Sequence, residues 1–302
     1  MHDRSHILTE HRLPESLRLD QMPTEAALEL MSRQDALAVA AVAAVRNDVA
    51  RAIDIITPAL QSNGRLLYFG AGTSGRLGVL DAAECPPTFR TDPSLIQGVI
   101  AGGDSAMFRA VEGAEDDPAA GRASADEKKI TPHDVALGIA AGGSTPFVRG
   151  ALQRARELGA KTIFLCCVPA TSSEPPADLV IRPITGPEVL TGSTRLKAGT
   201  ATKLILNQIT TLTMVRLGKV YENLMVDLRA TNEKLRDRAV RIIATLTHLD
   251  RPQSQALLQR AAGSVKTAIV MHSQNLHLDQ AQRLLDSCGG HLRTVLRQTE
   301  SR

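Results

Sequence analysis

The chain has 302 residues, 43% hydrophobic and 22% charged, with 35 basic and 32 acidic side chains for a net charge of +3. That composition belongs to a soluble globular protein and excludes a disordered chain, a collagen-like fibre and a coiled-coil rod. A balance so near neutral does not point to nucleic acid, and with no Trp, two Tyr and five Phe there is little to stack on single-stranded bases.

The first segment, to about residue 63, carries helical patterns. Pro23, Thr24 and Glu25 suit a helix start. From Asp35 to Leu60 the apolar residues Leu37, Val42, Val45, Val49, Ile53 and Ile56 recur at helical spacing, which predicts one helix stopped by Ser62, Asn63 and Gly64. The longest apolar run, Ala36 to Val45, is ten residues, half of the roughly 20 that cross a bilayer. The start of the chain lacks the apolar core of a signal peptide. A cytoplasmic protein without a membrane partner is the expectation.

Short apolar runs then alternate with glycines and helical stretches: 66–69, 95–100, 135–141, 162–168 and 178–181. Runs of that length between helices predict βαβ crossovers and a parallel sheet buried on both faces. After residue 190 the pattern turns helical, with an apolar stripe from Leu204 to Val215, another from Leu235 to Leu249, and a last helical piece at 253–298 interrupted by Gly289 and Gly290. The predicted domains are a helical segment at 1–55, a sheet domain at 56–228 and a helical region at 229–302. Cys85, Cys166, Cys167 and Cys288 form no CxxC pair, so neither a metal site nor a disulfide framework is expected.

Two glycine loops follow strands and open helices. Gly70, Gly72 and Gly75 fit the GxGxxG pattern, but a dinucleotide site also needs an acid at the end of the second strand. Here that strand runs into Ala101, Gly102 and Gly103, which disfavours a nicotinamide-dependent oxidoreductase. The loop instead offers the hydroxyls of Thr73 and Ser74 beside helix-start amides, which suits a single phosphate. The second loop, with Gly142, Gly143, Ser144 and Thr145 before Pro146, has the same form. Such hydroxyls also serve as plain N-caps, yet two loops in register favour phosphate. A third cluster, 186–200, holds Thr191, Ser193, Thr194, Arg195, Lys197 and Thr200.

The motifs YFGAGTSGRLGVLDAAECPPTF (68–89), EGAED (112–116), GPEVLTGSTRLKAGTATKLILN (186–207) and GKVYENLMVDL (218–228) resemble those of the N-acetylmuramic acid 6-phosphate etherases. That family belongs to the sugar isomerase (SIS) fold and is similar to the glucokinase regulatory protein. The resemblance implies an α/β, flavodoxin-like three-layer fold with a five-stranded parallel sheet, an N-terminal helical segment and a small C-terminal helical domain. It implies a homodimer with sites at the subunit interface, no cofactor, and a phosphorylated amino sugar as the small-molecule partner in peptidoglycan recycling. The activity implied is carbon–oxygen lyase cleavage of a lactyl ether, with Glu84 and Glu115 as the catalytic acid and base. The substrate and phosphate residues implied are Gly72, Thr73, Ser74, Gly75, Gly143, Ser144, Thr145, Glu188, Ser193, Thr194 and Lys197. A non-catalytic sugar-phosphate regulator is the alternative.

Glu84 precedes Cys85, Pro86 and Pro87, so it is expected to close its helix. Ser74 to Glu84 covers roughly 15 Å of helix, farther than a sugar's phosphate lies from its C2 or C3. Glu84 is therefore expected to serve a phosphate bound by the partner subunit. The chain departs from the family pattern at the second loop, where Gly142 stands in place of a hydroxyl residue and Ser144 in place of an arginine. It departs again at Leu13 and Val168, where the family pattern has asparagine.

Overall fold

The computed structural model describes residues 5–171, 174–228 and 232–300, with the backbone alone for 298–300. It contains two compact units: one comprises 1–83 and 94–210, the other 84–93 and 211–302.

The first unit is built on five strands: β1 (Leu66–Gly70), β2 (Ile96–Ile100), β3 (Val135–Ile139), β4 (Lys161–Leu165) and β5 (Leu179–Ile181). All pair in parallel, in the order β2-β1-β3-β4-β5. β1 and β3 are buried along their whole length, as expected of strands covered on both faces. Alternate residues, Leu67 and Phe69 on β1, Ala136 on β3 and Phe164 on β4, share one core with Phe147, Val148, Ala151 and Leu152 of helix α5 (Pro146–Glu157). Arg65 and the buried Asp134 join the entries of β1 and β3, at 2.8 Å and 3.1 Å. Burial works against ionisation of Asp134, but the Arg65 guanidinium and the Thr131 amide hold its carboxyl below the usual range.

Two elements differ from the sequence reading. The stretch expected as one helix from Asp35 to Leu60 is two, α1 (Thr24–Ala44) and α2 (Arg46–Gln61), divided at Val45. There the Val45 N–H donates to Val42 O and φ/ψ shift to −100°/15°, so the chain turns with no Gly or Pro to mark it. Helix α3 (Gly72–Phe89) does not close at Glu84 but runs through Pro86 and Pro87. Each proline lacks the N–H that would bond four residues back, at Ala82 and Ala83, but proline's fixed φ is itself helical and the helix continues to Phe89. Helix α4 (Pro118–Glu127), which no sequence pattern singled out, starts at Asp117, whose carboxylate accepts from the amides of Ala119 and Ala120. It crosses α5 closely: a Cβ on Gly121 would strike the Phe147 carbonyl, and one on Gly150 the Pro118 carbonyl.

Helix α6 begins at Lys197 and ends at Arg216. The second unit then holds α7 (Glu233–Thr247), α8 (Arg251–Arg260), α9 (Val265–Gln274), α10 (Leu278–Ser287) and α11 (Leu292–Glu300). The last helical piece is thus four short helices, each with its own stop or start signal. Asp250 and Gln253 form a capping box on α8, and Ser264 caps α9. Asn275 ends α9 in the left-handed conformation. Leu235, Ile243, Leu258, Ile269, Leu285 and Val295 form the core of this unit. No described helix is long and apolar enough to cross a membrane.

Candidate functional site

In a sheet of order 2-1-3-4-5 the connections leave β1 and β3 toward opposite faces, and the gap above their carboxyl ends is where such folds bind ligands. A cavity of about 300 Å³ lies there. Four segments of the first unit bring hydroxyl residues to it: Thr73 and Ser74 after β1, Ser144 and Thr145 after β3, Thr194 from the loop before α6, and Thr9 near the start of the chain.

The first loop depends on close packing. A Cβ on Gly75 would lie 2.6 Å from Ile100 Cγ1 and 2.7 Å from the Gly70 carbonyl oxygen. Only glycine lets the first turn of α3 sit this tightly on β1 and β2. The first intrahelical bond is Gly75 N–H to Ala71 O, so the amides of Gly72, Thr73 and Ser74 have no acceptor within the helix. These donors carry the positive end of the helix dipole.

The second loop turns sharply at Gly143, where φ is +79° and the N–H donates to Ala140 O at 2.8 Å. Thr145 is the N-cap residue of α5, with φ/ψ of −69°/111°, yet its side chain makes no capping hydrogen bond. The plain N-cap explanation of this hydroxyl therefore fails at Thr145.

The third segment is tied in from two sides. Gly192 N–H donates to Thr9 O at 3.3 Å, which fastens a 3₁₀ turn at Leu8–Glu10 to the loop. A Cβ on Gly199 would stand 3.5 Å from Thr73 Cγ2, so α6 and the first loop pack together. Glu115 reaches the same cavity from a 3₁₀ turn, Ala114–Asp116, entered through Gly113 at φ +72°. Ala114 packs onto the core of α5, leaving Glu115 exposed beside the cavity.

The cavity thus gathers Gly72, Thr73, Ser74, Glu115, Ser144, Thr145 and Thr194. Gly75 and Gly143 shape its two loops from behind. Ser193 is half-buried outside the lining. Glu188 and Lys197 point elsewhere. Glu188 is fully buried and accepts from the backbone amides of Lys197 and Ala198, each at 3.0 Å, capping α6. The Lys197 ammonium, itself buried, donates to Gln34 Oε1 of α1 at 2.6 Å. Desolvation pushes its pKa down, against the pull of Glu188, Glu15 and Asp35. Glu84 is exposed on α3 and is not part of the lining.

Ile7, Thr9, Glu10 and Gly192 line the cavity without having been singled out in the sequence. Residues 7–10 carry no glycine loop or repeat, and contacts far along the chain, such as that across 183 positions from Thr9 to Gly192, bring them in. Among the described residues no cluster of His, Cys, Asp or Glu is arranged to hold a metal ion. Burial pushes the thiols of Cys166 and Cys167 up, to about 11 and about 12, so both are neutral at physiological pH.

Residues 48–156 match the family model described as the glucokinase regulatory protein N-terminal SIS domain, and residues 222–283 match that of the same protein's C-terminal lid domain. An N-acetylmuramic acid 6-phosphate etherase of Gloeobacter violaceus is 52% identical over 300 residues, covering 99% of this chain and 98% of that relative. The chain belongs to the N-acetylmuramic acid 6-phosphate etherase family. Another etherase, of Nostoc punctiforme, is 52% identical over 296 residues, covering 98% of this chain and 96% of its own. A looser likeness is to the solved structure of phosphoheptose isomerase from Neisseria gonorrhoeae, with TM-score 0.43 and 15% identity over 62% of this chain and 97% of that one. The parallel sheet with flanking helices is the SIS architecture of this etherase family.

Proposed function

We propose that the protein cleaves the D-lactyl ether of N-acetylmuramic acid 6-phosphate, giving N-acetylglucosamine 6-phosphate and D-lactate, in the recycling of peptidoglycan amino sugars. The observation that carries this reading is the convergence of two hydroxyl-bearing helix-start loops and the Glu115 carboxylate on one cavity. Helix-start amides and hydroxyls hold a phosphate. A carboxylate beside it serves a proton transfer on the sugar.

The chemistry needs a base and an acid. In the open-chain sugar the ether carbon, C3, is β to the aldehyde. Glu115 takes the proton from C2; the C3–oxygen bond then breaks, and the departing oxygen takes a proton and leaves as the hydroxyl of D-lactate. Water adds at C3 of the unsaturated aldehyde and a proton returns to C2. The sum is one water consumed per ether cleaved, which makes the enzyme a carbon–oxygen lyase acting with no cofactor.

Glu84 is assigned as the acid at the ether oxygen. In the homodimer that the family resemblance implies, it serves the partner's site. Mixed dimers of a Glu84→Gln chain and a chain disabled at Thr73 and Ser74 then recover part of the activity; no recovery refutes sharing.

The direct test is D-lactate release from N-acetylmuramic acid 6-phosphate in heavy water. Lactate with deuterium at C2 of the product supports elimination and rehydration. Thermal stabilisation by the sugar phosphate without lactate overturns the catalytic reading in favour of a sugar-phosphate sensor.

A further inference from the structure

Five buried side-chain hydroxyls among the described residues have no hydrogen-bond partner: those of Thr9, Thr57, Thr91, Thr185 and Thr213. Thr9 alone of these belongs to the lining of the cavity. It is 1% exposed, and a buried donor left unmet is costly enough that proteins rarely keep one without a use.

Its surroundings say what the use is. Thr9 sits in the middle of the 3₁₀ turn Leu8–Glu10, and its carbonyl is already engaged by Gly192 N–H. The side-chain oxygen lies 3.6 Å from where a Cβ on Gly142 would stand. With glycine there, no side chain separates that hydroxyl from the loop that carries Ser144 and Thr145 to the start of α5. The turn therefore lies beside the loop that leads into the N-terminus of α5.

We propose that Thr9 is an anion-binding residue of this cavity, its hydroxyl donating to an oxygen of the bound phosphate group beside the second loop. The proposal rests on the reading of the cavity as a phosphate site and adds to it a donor from the start of the chain. The hydroxyl turns to its acceptor by rotation about the Cα–Cβ bond, a move between staggered positions. The otherwise unmet donor is satisfied in the complex.

The test uses the full chain and inorganic phosphate as probe, with affinity read by titration calorimetry and confirmed by competition against the sugar phosphate. Thr9→Val keeps the shape and removes the hydroxyl; Thr9→Ser keeps the hydroxyl. The expected result is a loss of phosphate affinity of roughly 10-fold or more for Thr9→Val, the scale of a hydrogen bond to a charged group. Thr9→Ser stays within about 3-fold of wild type. KM rises in Thr9→Val more than kcat falls, and its melting temperature is unchanged or higher, since an unmet polar group has been removed. A melting temperature that falls while phosphate affinity holds overturns the proposal and makes Thr9 structural. If wild type binds phosphate and Thr9→Val binds it equally, the Thr9 proposal fails alone; if wild type binds none, the phosphate reading of the cavity fails with it.

Discussion

Glu188→Gln exchanges one carboxylate oxygen for an amide nitrogen at the start of α6, where both oxygens now accept backbone N–H groups, from Lys197 and Ala198, at 3.0 Å each. Glutamine has a single acceptor, so its NH₂ must face one of those two donors in a site with no exposure at all. An unmet buried N–H costs about 1–3 kcal/mol. Removing negative charge from a helix N-terminus costs about 0.3–1 kcal/mol, up to about 2 when partly buried. The sum is roughly 2–4 kcal/mol. In a unit of this size each kcal/mol moves Tm by about 2–4 °C, so Tm falls by roughly 5–15 °C. Calorimetry with far-UV circular dichroism, separating the transitions of the two units, measures it. Glu188→Ala, which loses both acceptors, falls further. Activity per folded molecule at low temperature changes little, because Glu188 caps α6 outside the cavity lining. A Glu188→Gln protein with Tm within about 2 °C of wild type and a raised KM would refute this reasoning and place the carboxylate on the ligand.

Thr145→Val separates capping from binding in the same way. Its hydroxyl makes no cap hydrogen bond, so stability stays within about 0.5 kcal/mol of wild type instead of losing the usual ~1 kcal/mol of a broken cap, while inorganic phosphate binds more weakly. Gly75→Ala forces a methyl against the Gly70 carbonyl and Ile100; urea denaturation shows a loss of about 1–3 kcal/mol, and phosphate affinity drops with it because the amides of Thr73 and Ser74 shift. Asp134→Asn tests the acid limb of stability. A carboxyl held below its unfolded value by Arg65 and Thr131 contributes stability that is present above the unfolded pKa and lost as pH falls through the folded one. The variant is therefore less stable than wild type at neutral pH, by about 1–3 kcal/mol, since Arg65 is partly exposed and can be solvated once the carboxylate is gone, and the gap measured in urea narrows below about pH 4.

Much of the fold is written in short-range pattern. Runs such as 66–69 and 135–141 are apolar without alternation because both faces of a parallel strand are covered, and β1 and β3 are indeed buried end to end. The glycine loops are legible for the same local reason: a strand that must turn at once into a helix needs small residues at the crossing. Gly75 against the Gly70 carbonyl shows the contact that those letters encode. The etherase family itself was legible in contiguous motifs.

What the letters left open depends on partners far away in the chain. Lys197 sits in a hydroxyl-rich cluster that resembles a binding loop, yet its ammonium meets Gln34 of α1, 163 positions away, while Glu188 beside it caps α6 locally. Val45 divides a helix whose apolar period continues past it, at a change of φ/ψ to −100°/15° that no Gly or Pro marks in the sequence. Pro86 and Pro87 fail to stop α3, since proline's fixed φ is itself helical. Thr9 and Glu10 enter the cavity as their turn pairs with the loop at Gly192 and lies beside Gly142. Periodicity and turn chemistry act over a few residues and so determined the elements and the family; which side chains face the ligand is settled by contacts over a hundred residues or more, which only the folded chain brings together.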